Sequence, residues 1–155
     1  MDTLKTLLEH AEGERNRALS AFNLARARCD AARQQATQLD TYRSDYRQRW
    51  SAQFARGAAL EILRCYQGFA DRLESAITLH QHTVTQTLAA QAQAGDMLSA
   101  HELRVASVRK LIERRVLAER QASDQRERRS DDEDSMRLAL ARGIAGHTGR
   151  NGARP

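Results

Sequence analysis

The stretch LKTLLEHAEGERNRALSAFNLARARCDAARQQATQLDTYRSDYRQRW, Leu4 to Trp50, decides the fold. Read in alternating steps of three and four, it puts Leu4, Leu8, Ala11, Ala18, Phe22, Ala25, Cys29, Ala32, Ala36, Leu39, Tyr46 and Trp50 on one face. Only Arg15 and Arg43 interrupt that face. Spacing of this kind over about seven heptads, without a phase slip, predicts a coiled-coil helix. The seam is rich in alanine, so two helices approach closely while burying little area per layer.

Working outward, the pattern stops near Phe54, and Arg56-Gly57-Ala58-Ala59 follows. A glycine there can take the left-handed conformation that closes a helix C-terminus. A second 3-4 stripe begins at Leu63 and passes through Tyr66, Ala70, Leu73, Ile77, His80, Val84, Thr87, Gln91, Ala94, Leu98, His101, Val105 and Val108 to Ile112. Two helices joined by so short a turn run antiparallel. The expected fold class is all-α: a long antiparallel two-helix coiled-coil hairpin with helices over 2–55 and 60–142, a turn over 56–59, and a disordered tail over 143–155. With the turn near residue 57 or 58, the numbers of facing residues total roughly 115, which sets Tyr46 against Phe69, Trp50 against Cys65, and Cys29 far from Cys65.

The arms are unequal. Leu4 faces about residue 111, so the chain beyond roughly 115 has no helix opposite. From Glu119 to Asp134 the sequence is charged on all sides, and such a helix relies on pairs four residues apart or on a partner. After Arg142 the chain is rich in glycine, the basis for expecting a disordered tail. A third helix could open at Gly95-Asp96, with Ser99 and Glu102 in capping-box spacing. The register passes Gly95 unshifted, which favours a kink over a turn.

Composition agrees. Seven aromatics, one proline and 29% charged residues leave too little bulky apolar matter for a round core. The proline is Pro155, so no helix is interrupted by a missing donor. The opening Met1-Asp2-Thr3-Leu4-Lys5 has no apolar core of a signal peptide, and no run approaches the ~20 apolar residues of a membrane span. Cys29 and Cys65 read as two buried thiols in a reducing cytosol. The net charge of +5 has acids interleaved throughout, so it supports solubility and weak steering without naming a partner.

Motifs for chemistry are lacking. His80 and His82 stand two apart on a helix, pointing to different sides, so they cannot share a metal ion. No nucleophile arrangement, phosphate loop or paired carboxylate occurs, and a thin hairpin offers no concave site, so no catalytic, cofactor-binding or metal-binding residue is expected. Asp131-Asp132-Glu133-Asp134 reads as a solvated helix face or as a contact for a basic partner.

The aromatics carry more information. Six of the seven lie between Tyr42 and Phe69, around the turn. Tyr46, Trp50 and Tyr66 occupy the seam, but Tyr42 and Phe69 lie beside it, in the rows Gln35-Leu39-Tyr42-Tyr46 and Phe69-Leu73-Ala76-His80. Each row is one stripe on its helix, and the facing relation sets the two side by side. An apolar flank on a thin rod is either extra packing or a docking face.

At these residues the chain resembles the FliJ family of flagellar export proteins. Leu39-Asp40-Thr41-Tyr42-Arg43-Ser44-Asp45-Tyr46-Arg47-Gln48-Arg49 is similar to the family's L-x-x-Y-R-x-E-Y-x-x-R element. Tyr66-Gln67-Gly68-Phe69-Ala70-Asp71-Arg72-Leu73-Glu74-Ser75-Ala76-Ile77 is similar to its Y-x-x-F-L-x-x-L-x-x-A-I run. Leu111-Ile112-Glu113-Arg114 resembles L-x-E-R, and Glu127-Arg128-Arg129-Ser130-Asp131-Asp132-Glu133 resembles E-Q-K-x-x-D-E, with arginines where Gln and Lys are usual. The likeness covers residues 1 to about 140.

The resemblance implies a soluble, non-catalytic part of the flagellar type III export apparatus, without a cofactor, cytoplasmic and peripheral at the inner face of the cell membrane. Implied partners are the hexameric export ATPase (FliI-like), the cytosolic domain of the export gate (FlhA-like) and export chaperones, with no nucleic acid and no membrane span. The family's gate-binding surface carries over onto Gln35, Leu39, Tyr42, Tyr46, Phe69, Leu73, Ala76 and His80. Leu4, Leu8, Glu127, Asp132 and Glu133 are the expected contacts with the ATPase. The rival readings are the stalk protein of a virulence type III system, a basic coiled coil on nucleic acid, and a structural homodimer.

Overall fold

The computed structural model describes residues 1–148. Helix α1 runs Asp2–Ala55 and helix α2 runs Leu60–Thr148. They pack against each other as an antiparallel hairpin whose second helix is the longer, as the two stripes predict. At 1.5 Å per residue, α1 is about 80 Å long and α2 about 130 Å.

The turn is built by backbone chemistry. Arg56 stays in the right-handed region and its N–H donates to the Gln53 carbonyl at 3.2 Å. Gly57 then takes φ +87°, and its N–H donates to the Phe54 carbonyl at 3.1 Å. A side chain at that φ would bring its Cβ against the following carbonyl, so glycine is what this reversal needs.

Packing follows the seam. The buried apolar residues are Ala11, Cys29, Ala32, Leu73, Ile77, Val105 and Val108, all of them positions of the two stripes. Pairs 46/69, 43/74 and 22/95 touch across the interface, and their numbers total 115 to 117. Arg43 sits in the seam because Glu74 meets it there: its guanidinium reaches the Glu74 carboxylate at 3.2 Å and Asp40 at 3.2 Å. Thr87 satisfies its hydroxyl within its own helix, donating to the carbonyls of Thr83 and Val84 at 3.0 Å each. Arg109 bridges to Glu12 at 2.9 Å near the open end.

Two expectations need correction, the burial of Cys65 and the end of α2. α2 passes through Gly95 without a break, as the unshifted register favours, and no third helix begins there. The Phe22 ring lies against this glycine, 3.4 Å from where a Cβ would stand, so the position serves helix packing instead of a cap. Cys65 is exposed while Cys29 is fully buried, because Trp50 packs on Tyr66 and leaves Cys65 beside the seam; both thiols are free. Finally, α2 continues past 142 to Thr148. Glycines at 143 and 146 each cost about 1 kcal/mol relative to alanine, but a growing helix gains a hydrogen bond per residue and no proline stops it there. The remainder of the expected tail, 149–155, lies outside the described residues.

Beyond Val116 only Ala122 is less than exposed among the described side chains, so this arm of α2 stands alone. Arg115 and Glu119 form an ion pair at 3.6 Å at its base.

Candidate functional site

Tyr46 is the hub of the aromatic cluster. Its ring centroid lies 4.5 Å from that of Phe69, 5.5 Å from Tyr66, 5.9 Å from Trp50 and 6.2 Å from Tyr42. Trp50, Phe54 and Tyr66 form a second triangle toward the turn, with centroids 5.2–5.4 Å apart. Five ring contacts cross from α1 to α2, the outermost being Tyr42 edge-on to Phe69 at 6.2 Å. Offset and edge-on arrangements suit the ring quadrupoles and add about 0.5–1.5 kcal/mol per pair beyond area burial.

This clustering follows from helix periodicity. Tyr42, Tyr46, Trp50 and Phe54 recur every four residues along α1, and Tyr66 and Phe69 three apart along α2 meet them at the facing position. The outermost ring, Tyr42, remains 50% exposed even though it stacks on Tyr46 and meets Phe69 edge-on. The cluster is therefore both packing and surface: Tyr46, Trp50, Phe54, Tyr66 and Phe69 are half-buried, and Tyr42 is presented.

The eight flank residues are not equivalent. Gln35, Tyr42 and Ala76 are exposed, and Leu39, Tyr46, Phe69 and His80 are half-buried. Leu73 is only 8% exposed and belongs to the seam, so it supports the flank from beneath. The ring Nε2 of His80 is buried without a hydrogen-bond partner.

Sequence reasoning missed the charged edge of this flank. Glu74 receives Arg43 at 3.2 Å and Arg47 at 2.9 Å, tying the two helices together beside the rings. The facing relation held the signal, since 43 and 74 stand nearly opposite. A half-exposed cluster of this kind is worth little in isolation but fixes geometry.

The expected ATPase contacts fall into two places. Leu4 and Leu8 are half-buried where α1 meets α2, whereas Glu127, Asp132 and Glu133 are exposed on the lone arm. Counting along α2 from the level of Leu4, Glu127 stands about 20 Å further out and Glu133 about 30 Å. The fold does not bring these five residues together. Among the described residues no group of three His, Cys, Asp or Glu side chains could hold a metal, and no helix is long and apolar enough to cross a membrane.

A family model described as Flagellar FliJ protein matches residues 1–143. No curated protein and no solved structure matches the chain.

Proposed function

The chain belongs to the Flagellar FliJ protein family, and from that membership we propose that it is the non-catalytic linker between the export ATPase and the export gate. In this reading it is cytoplasmic and peripheral at the inner face of the cell membrane, and it also engages export chaperones. The open end of the hairpin, with Leu4, Leu8 and the acidic residues Glu127, Asp132 and Glu133 of the lone arm, engages the FliI-like hexamer. The flank formed by Gln35, Leu39, Tyr42, Tyr46, Phe69, Ala76 and His80 engages the cytosolic domain of the FlhA-like gate, with Leu73 holding the flank in shape.

One observation carries the gate contact: Tyr42 keeps half its surface in solvent while held by stacking on Tyr46 and an edge-on contact with Phe69. A pre-ordered, exposed aromatic loses little side-chain entropy on binding and is the residue type that dominates interface energetics. Glu74, Arg43 and Arg47 supply a polar rim next to it. The two proposed contacts lie far apart along the rod, which is the geometry of a linker.

The test is capture of the gate's cytosolic domain by the full chain carrying Tyr42→Ala. Because Tyr42 is exposed, helicity by circular dichroism stays unchanged, and binding weakens by roughly tenfold or more. A folded Tyr42→Ala chain that captures the gate domain as well as the parent sinks this reading.

A further inference from the structure

The turn end of the hairpin carries exposed positive charge with little acid beside it. Between Arg49 and Tyr66 there are three arginines, Arg49, Arg56 and Arg64, and a single acid, Glu61. All three arginines are exposed, and none forms an ion pair among the described residues. Arg47, two residues further from the tip than Arg49, is already paired with Glu74. On the arm, by contrast, Arg126, Arg128 and Arg129 are followed by four consecutive acids.

The same end carries apolar side chains with nothing over them. Leu60 is 63% and Ile62 41% exposed, in the first turn of α2. Every Cα–Cβ bond in a helix tilts toward its N-terminus, and the N-terminus of α2 is the tip of the rod, so both side chains lean toward the end. Behind them Trp50 and Phe54 are half-buried, at the border between packed and exposed surface.

From this we infer that the tip of the hairpin docks end-on against an anionic lipid surface, Leu60 and Ile62 entering the headgroup boundary while Arg49, Arg56 and Arg64 hold lipid phosphates. The combination is what selects lipid. A nucleic acid would use the arginines but gain little from the exposed aliphatic side chains of Leu60 and Ile62. An interface between water and acyl chains rewards both, with aromatic rings at the border. The arginines lie within about 10 Å of the end of the rod, inside the reach of a membrane surface potential at physiological salt. The inference does not rest on the proposed gate or ATPase contacts, since its residues are distinct from theirs.

The sequence supplies its own reporter, because Trp50 is the only tryptophan. The full-length chain is mixed with vesicles of phosphatidylcholine containing about one-third phosphatidylglycerol, and with phosphatidylcholine alone. Expected are co-flotation with the anionic vesicles that weakens as salt rises, and quenching of Trp50 by brominated lipid. Combined Arg49→Gln, Arg56→Gln and Arg64→Gln substitution weakens partitioning by on the order of tenfold or more. Leu60→Ser with Ile62→Ser weakens it severalfold, and both variants keep parental helicity because the replaced side chains are exposed. The inference is overturned by absence of binding at low salt, or by equal binding to neutral vesicles. It is also overturned if the tip arginine variant binds as the parent does while Arg126→Gln, Arg128→Gln and Arg129→Gln together abolish binding, or if Trp50 stays unquenched on bound vesicles.

Discussion

Near the turn, six aromatic rings cluster across the two helices, five of them half-buried; toward the open end the same seam is lined largely by Ala11, Ala18, Ala25, Cys29 and Ala32. Both regions obey one period, yet they differ in what they bury. A packed ring removes a large apolar area from water, while an alanine methyl removes little, at about 0.8 kcal/mol per methylene-sized group. Larger residues of α2 compensate in part: by the facing relation Val84, Leu98 and Val105 stand near Ala32, Ala18 and Ala11. The difference teaches that the hairpin is pinned at its turn and zipped, more weakly, along its length. The same ring cluster that pins it also presents Tyr42, the residue proposed for the gate contact.

The largest effect expected from this contrast is at the hub. Tyr46→Ala removes ring contacts with Tyr42, Trp50, Tyr66 and Phe69 together. It should cost about 3 kcal/mol in denaturant unfolding, with a loss near that of burying an aromatic. A cost below ~1 kcal/mol would erase the distinction between pinned and zipped regions.

A smaller, opposite effect is expected from two glycines. Gly68, near the turn, has open space where a Cβ would stand, so Gly68→Ala should stabilise α2 by up to about 1 kcal/mol. Gly95→Ala should gain less, because its new Cβ would meet the Phe22 ring at 3.4 Å. Thermal unfolding of the two variants side by side ranks them; a reversed ranking would mean that the Phe22 layer is loosely packed.

The smallest effect belongs to the arm. A chain ending after Val116 loses no helix-to-helix seam, so its hairpin should unfold within ~0.5 kcal/mol of the parent while total helicity falls. A marked loss of hairpin stability would show that the arm folds back on the rod in solution.

Much of this was legible from spacing alone. Every position of the two stripes, from Leu4 to Trp50 and from Leu63 to Ile112, is buried or half-buried, because a 3-4 period on a helix with a partner leaves one answer. The interruptions at Arg43 and Thr87 were visible, but their compensation by Glu74 and by backbone carbonyls required coordinates. The state of Leu73 was ambiguous for a geometric reason. A row beside a seam shares residues with it, and a small rotation of the helix decides which side chains are covered. Cys65 escaped for the same reason, lying one residue before the seam position Tyr66. The C-terminal bound of α2 was not legible because glycine weakens a helix without stopping it.

The step near Val116, where two helices become one, also has a mechanical meaning. A beam resists bending far more as its cross-section widens, so the double-stranded part of the rod is stiff and the single-stranded arm compliant. A load applied at the far end of α2 is therefore absorbed first as curvature of the arm. Because α2 is continuous through the step, an axial push or a twist still passes along it into the pinned end. The molecule is shaped like a shaft with a flexible coupling at one end.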